Sequence, residues 1–193
     1  MKPLIGCFFL AVIGIATTGC KTNRSDPAVT ELLSKKVYTR VGMHFETRRG
    51  RFVMYSNNYI STPNYVSPGT ELILKKVSAK VVELIDGNGS DYQIRYSPKM
   101  SKMQMTAWRQ RHFSSRPLLI PEELTDEERQ AIALGEARPG MSRVAVFLAI
   151  GYPPPAINAS SKAKSLIYEM RRSLSCSIKF DEKDRVDKID MRR

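Results

Sequence analysis

Residues 138–153 read Arg-Pro-Gly-Met-Ser-Arg-Val-Ala-Val-Phe-Leu-Ala-Ile-Gly-Tyr-Pro. Ser142 stands just before an apolar run, where its side-chain oxygen can accept from the first free amides of a helix. Gly140 permits the turn that leads into it. Val144, Phe147 and Leu148 fall at spacings of three and four, which predicts that they share the buried face. Gly151 suits the C-terminal turn, and Pro153-Pro154-Pro155 forbids continuation of the helix. Gly140, Ser142, Gly151 and Pro153 are therefore fold markers rather than a catalytic set.

The pattern extends in both directions. Upstream, Thr125-Asp126-Glu127-Glu128 is a capping box, in which the Thr125 hydroxyl and the Glu128 carboxylate satisfy each other's backbone amides. It predicts a helix running to Leu134, with Gly135 at its C-terminus. Downstream, Leu166, Tyr168 and Met170 alternate, as do Leu174, Cys176, Ile178 and Phe180, so each stretch is a strand with one apolar face. Asp181-Glu182-Lys183-Asp184 is a polar turn before a last short strand from Val186 to Met191. Helix, helix, strand, strand, strand is an α+β layer, placed over residues 122–193.

Residues 35–115 read as a small β-rich module, an antiparallel sheet or barrel. Val37 to Val41 and Phe52 to Tyr55 are β-prone, and Thr70 to Val77 and Lys80 to Asp86 are two further strands. Leu72, Leu74, Val81 and Val82 are available to a core. Asp86-Gly87-Asn88-Gly89 is a hairpin turn, because those residues accept positive φ. Tyr92, Ile94 and Tyr96 then alternate with polar residues. Met103, Met105, Trp108 and Phe113 are expected on one helix as core contacts, with Lys102, Arg109 and Arg111 outside. The segment around Arg116–Pro121 is expected to link the two modules.

The N-terminus places the chain in a cell. A short apolar core, Leu4 to Ala16, follows Lys2 and ends in small residues and Cys20. This order reads as a bacterial lipoprotein signal over residues 1–19. A membrane span needs about 20 apolar residues, and this run is shorter. Cys20 would carry lipid, residues 20–34 would form a polar tether, and Lys21 favours the outer membrane. Of the three cysteines, only Cys176 then remains in the body, so no internal disulfide can form there. It is expected as a buried, inert thiol.

The residues of the C-terminal half also carry a resemblance. Arg138-Pro139-Gly140-Met141-Ser142, Val144 and Leu148-Ala149-Ile150-Gly151-Tyr152-Pro153 resemble the start and exit of the first conserved turn of the SmpA/OmlA (BamE-like) family of outer-membrane lipoproteins. Tyr168, Ile178-Lys179-Phe180-Asp181 and Arg185-Val186 resemble its strand residues and closing hairpin. The resemblance covers about residues 125–191. It implies two helices on a three-stranded antiparallel sheet, association with anionic phospholipid, and a partner in the outer-membrane β-barrel assembly machinery. This sequence departs from the family in having no Trp in the strand around Tyr168 and in carrying the module ahead of the domain. The fold class expected is thus α+β: an N-terminal small β-rich module followed by a two-helix, three-stranded antiparallel sheet domain.

Charge and chemistry bound the function. The 193 residues carry a net charge of +12, and 42% are hydrophobic. An exported basic chain meets anionic headgroups and acidic protein faces rather than nucleic acid. His44 and His112 are the only histidines, and neither accompanies a nucleophile motif. No zinc spacing occurs, and Asp181, Glu182 and Asp184 read as a solvated turn rather than a cation site, so no cofactor, metal or catalytic residue is expected. Arg48, Arg49, Arg51, Arg109, Arg111, Arg171 and Arg172 are candidate contacts to anionic lipid or to a partner. The expectation is a non-enzymatic, periplasm-facing outer-membrane lipoprotein that binds envelope proteins as an accessory factor in membrane assembly or envelope integrity. The alternatives are a module binding cell-wall glycan or anionic lipid, and an inhibitor of an envelope enzyme.

Overall fold

Alternating apolar side chains, punctuated by turn residues, produce the larger of two sheets. The computed structural model describes residues 34–57, 64–170 and 174–192. The expected lipidation site Cys20, the expected leader 1–19 and the candidate contacts Arg171 and Arg172 lie outside the described residues, as does nearly all of the tether. Strands β1 (Lys35–Thr39), β2 (Met43–Arg48), β3 (Arg51–Tyr55), β4 (Asn64–Val66), β5 (Glu71–Val77), β6 (Val81–Ile85) and β7 (Asp91–Arg95) come first. Two short helices follow, α1 (Pro98–Ser101) and α2 (Met105–His112), and then the two-residue strand β8 (Phe113–Ser114). These eight strands form one curled sheet in the order β4-β2-β3-β7-β6-β5-β1-β8. Every pairing is antiparallel except one: β3 and β7 run parallel, with Val53 opposite Gln93 and Tyr55 opposite Arg95. That pair departs from the expected antiparallel module.

The inner face buries Met43, Phe45, Met54, Leu72, Leu74, Val82, Leu84 and Ile94 around Trp108 of α2. Trp108 is buried among them and stacks on His112, with ring centroids 4.0 Å apart. Two hairpins fix the register. At the β6–β7 turn the Asp86 carboxylate accepts from the amides of Asn88 (2.9 Å) and Ser90 (2.8 Å). At the β2–β3 turn Arg49 and Gly50 both have positive φ, 50° and 75°, the pattern of a type I′ turn. The expected helix over Met103–Phe113 forms only from Met105 to His112. Lys102 takes a left-handed conformation and ends α1, and Phe113 leaves α2 to pair with Thr39.

The second half has α3 (Asp126–Leu134), α4 (Arg143–Ile150), β9 (Ser165–Glu169), β10 (Ser175–Phe180) and β11 (Val186–Arg192). The three strands form an antiparallel sheet in the order β11-β10-β9. The capping box is present: Glu128 N–H donates to Thr125 Oγ1 at 3.2 Å, and Thr125 N–H donates to Glu128 Oε2 at 3.1 Å. Ser142 caps α4 by accepting from the Ala145 amide. Gly140 and Gly151 have positive φ at its two ends, and Pro153 is buried beyond it. The expected buried face of α4 is corrected. Leu148 is buried and Phe147 partly so, as expected, but Val144 is 55% exposed, and Ala145, Val146, Ala149 and Ile150 are buried as well. So apolar a helix has no single polar face, and docking rather than periodicity selects what is covered. Leu166, Tyr168, Cys176, Ile178, Phe180 and Val186 complete this core.

The halves touch through specific contacts. The Gly42 amide donates to Leu148 O (2.7 Å), and Tyr65 Oη donates to Ile132 O (2.6 Å). The Arg111 guanidinium lies 3.8 Å from the centroid of the Tyr152 ring. Among the described residues, no helix is long and apolar enough to cross a membrane.

Candidate anion-binding site

The outward face of β2, β3 and β7 gathers arginines that are distant in sequence. Alternation along β2 turns Phe45 inward and Glu46 and Arg48 with the outer set; along β3 it turns Arg51, Val53 and Tyr55 outward. The hairpin register sets Arg48 opposite Arg51 and Glu46 opposite Val53. The parallel register then adds Gln93 and Arg95 from β7. The result is a hollow of about 630 Å³ lined by Arg48, Arg49, Arg51, Val53, Gln93 and Arg95. Val53, only 3% exposed, is its apolar floor.

Two of the guanidinium groups, those of Arg48 and Arg95, are held in place by neighbouring side chains. Arg95 Nε donates to Gln93 Oε1 at 3.1 Å. The Tyr55 ring carries two cations, Arg48 at 5.5 Å and Arg95 at 5.8 Å from its centroid. Glu46, nearly buried, pairs with Arg48 at 2.7 Å. Beyond Arg51 the nearby carboxylates are already engaged: Asp91 by Lys75 (3.1 Å) and Glu83 by Gln93 (3.4 Å). Among the described residues the four arginines outnumber Glu46 and the neighbouring Glu83, whose charge the neutral Gln93 does not offset, and leave a cationic bowl open to solvent. Its forked donors match the oxygens of a phosphate or carboxylate.

The five candidate arginines among the described residues do not form one patch. Arg48, Arg49 and Arg51 share the bowl. Arg109 lies elsewhere, half-buried in a second hollow beside Arg40. Arg111 is engaged in packing on Tyr152. Arg95, Gln93 and Tyr55 were missed. The alternation of Tyr92 and Ile94 already turned Arg95 outward, but nothing local said that β7 would lie beside β3.

The other residues singled out have structural surroundings. His44 packs on the Tyr65 ring at 4.9 Å. His112 donates from Nδ1 to Trp108 O (2.7 Å), and burial lowers its pKa to about 4. Cys176 is buried, and desolvation pushes its thiol up to about 11, away from the reactive thiolate. Asp181 accepts from the Lys183 and Arg185 amides, and Asp184 pairs with Arg143 at 2.7 Å. These carboxylates hold the β10–β11 turn together. Among the described residues no cluster of His, Cys, Asp and Glu is arranged to hold a metal ion.

No family model matches this chain, and neither a curated protein nor a solved structure matches it.

Proposed function

We propose that this chain is a non-enzymatic binding protein of the bacterial envelope, tethered through lipid on Cys20 at the periplasmic face of the outer membrane, and that its arginine bowl holds it to phosphate-bearing lipid headgroups. The observation that carries the reading is the convergence of Arg48, Arg49, Arg51 and Arg95 in one hollow, in excess of the carboxylates beside it among the described residues. A short tether would keep the bowl within reach of the surface. Each basic residue near a negatively charged membrane contributes about 1 kcal/mol, so the bowl would orient the body against the surface to which the acyl chains on Cys20 tether it.

The test is flotation of the purified chain, carrying Cys20→Ser, with phosphatidylglycerol-containing vesicles and with phosphatidylcholine alone. Binding is expected only to the anionic vesicles and is expected to weaken as salt rises. Changing Arg48, Arg51 and Arg95 together to Gln is expected to lower partitioning about a hundredfold, three contacts of about 1 kcal/mol each. Equal binding to both vesicle types would refute the reading.

A second reading has its own support. β11 is an edge strand of seven residues whose Met191 is 60% exposed, a surface on which a protein partner can add a strand. In that reading the C-terminal layer serves as the accessory factor in membrane assembly that the SmpA/OmlA resemblance implies. Recovery of barrel-assembly components from detergent-solubilised envelopes by the wild-type chain, and loss of recovery in Met191→Asp, would favour it.

A further inference from the structure

A second hollow, apart from the bowl, opens between α2 and the β1–β5 pair and encloses about 480 Å³. That lies within the range of small-ligand sites. Its inner wall is apolar: Leu74 and Val37 from the sheet, and Phe113, whose ring reaches Trp108 at 6.3 Å. Its rim is cationic. Arg40 Nη1 donates to Gln110 O at 3.2 Å, which fixes this arginine at the mouth. Arg109 comes from α2 and is half-buried.

Arg109 is the anomaly. Among the described residues its guanidinium has no ion-pair or hydrogen-bond partner, and no carboxylate lines the hollow. Loss of water holds its pKa below the ordinary guanidinium value. A partly desolvated cation is normally matched by an anion, because leaving it unmatched costs free energy. Ser114 adds a donor: its Oγ already accepts from the Arg116 amide (3.1 Å), so its O–H is free to point elsewhere. The mouth stays open because β8 is only two residues long and covers β1 only at Tyr38 and Thr39.

We infer that this hollow binds one amphiphile: an apolar chain against Leu74, Val37 and Phe113, with a carboxylate or phosphate head between Arg40 and Arg109. An acyl carboxylate, a single-chain phospholipid and a bilayer lipid share that chemistry. The inference does not rest on the bowl, and the two are separable by mutation.

Trp108, the one tryptophan of the chain, precedes Arg109 on α2 and reports on the hollow by fluorescence. The full chain is titrated with decanoate and with decyl phosphate below their micelle concentrations. Decyltrimethylammonium and inorganic phosphate are the controls. Saturable binding of both anionic amphiphiles is expected, with neither control matching them. Arg109→Met keeps the length of the side chain and removes its charge. It is expected to weaken binding about tenfold or more, the loss of one charge-assisted contact. Arg40→Gln, at the exposed rim, is expected to weaken binding severalfold and serves if Arg109→Met does not fold. Lys183→Gln, exposed on the β10–β11 turn and lining neither hollow, is expected to leave amphiphile binding unchanged. A Trp108 response to anionic vesicles without free amphiphile would identify bilayer lipid as a source; silence toward vesicles would identify a free single-chain ligand. The proposal is overturned if neither amphiphile binds saturably, if both rim variants bind as wild type, if decyltrimethylammonium binds as well as the anionic amphiphiles, or if inorganic phosphate binds as well as decyl phosphate.

Discussion

Arg49 occupies a position that a different residue would fill at lower cost. A type I′ turn needs positive φ at both central residues, and Asn-Gly is its preferred pair. Here the first place holds an arginine at φ 50°. For a side chain without a local hydrogen bond, that conformation costs on the order of 1 kcal/mol. Arg49→Asn is therefore expected to raise stability by about 1 kcal/mol in urea unfolding while weakening anionic-vesicle binding. Opposite signs in the two measurements would mark the arginine as kept for its charge. His112 makes a second prediction at this scale. Burial first, and the nearby Arg111 charge second, act to depress its pKa, and the hydrogen bond to Trp108 O opposes them without prevailing. The neutral ring is thus favoured in the folded state. Between pH 6.5 and about 4 the unfolded chain binds a proton that the folded chain does not. Stability contributed by the neutral ring is complete above pH 6.5 and is lost as pH falls through that window. The loss amounts to on the order of 3 kcal/mol. Unfolding curves at pH 7.5 and 4.5 check this, and His112→Gln should flatten the difference.

Elements in the second half are tied together by one carboxylate. Glu128 closes the capping box of α3, and its Oε1 also accepts from the Ser142 amide at 2.6 Å, where α4 begins. Burial alone would raise its pKa. The Ser142 and Thr125 amides outweigh that and hold the carboxyl below the usual range. Its contribution is therefore present above the ordinary carboxyl value and is lost as pH falls through the depressed one. Glu128→Ala strips acceptors from two helix N-termini at once. It is expected to cost about 2–3 kcal/mol in urea unfolding at neutral pH. Glu127→Ala on the exposed side of the same turn should cost under about 1 kcal/mol. Equal losses would mean that the bond across to Ser142 contributes nothing.

At the scale of the whole molecule, the two halves meet where there is no room for a side chain. A Cβ on Gly42 would stand 2.0 Å from the backbone oxygen of Ala149 and 2.6 Å from the Tyr65 phenol. Tyr65 in turn lies over Gly135 at the end of α3 and donates to Ile132 O. A backbone oxygen cannot move aside as a flexible side chain would. Gly42→Ala is therefore expected to destabilise the chain by about 3 kcal/mol or to part the halves. Gly87→Ala, with nothing within 4 Å, should change stability by less than about 0.5 kcal/mol. Urea midpoints of the two variants, with hydrogen exchange at the Gly42 amide, separate a local strain from undocking.

The local rules of chain geometry wrote much of this protein into its sequence. Thr125 and Glu128 cap α3, Ser142 caps α4, Asp86 closes the β6–β7 hairpin, and Leu166 to Phe180 alternate as strands, because each depends only on residues within a few positions. The arginine-rich run 48–51 was also legible as exposed charge, although its turn was not, since Arg-Gly does not signal type I′ as Asn-Gly does. Tertiary structure decided the rest. The parallel pairing of β3 with β7 joins segments some forty residues apart, and no spacing in either strand announces it. That pairing alone brings Arg95 to Arg48, Arg49 and Arg51. Likewise, packing of α4 against β2 and the C-terminal sheet, not its own periodicity, left Val144 in solvent and Arg109 beside Arg40 was fixed only when α2 docked. Local sequence sets what a segment becomes; non-local burial sets what it stands beside, and the binding surfaces here are made of neighbours.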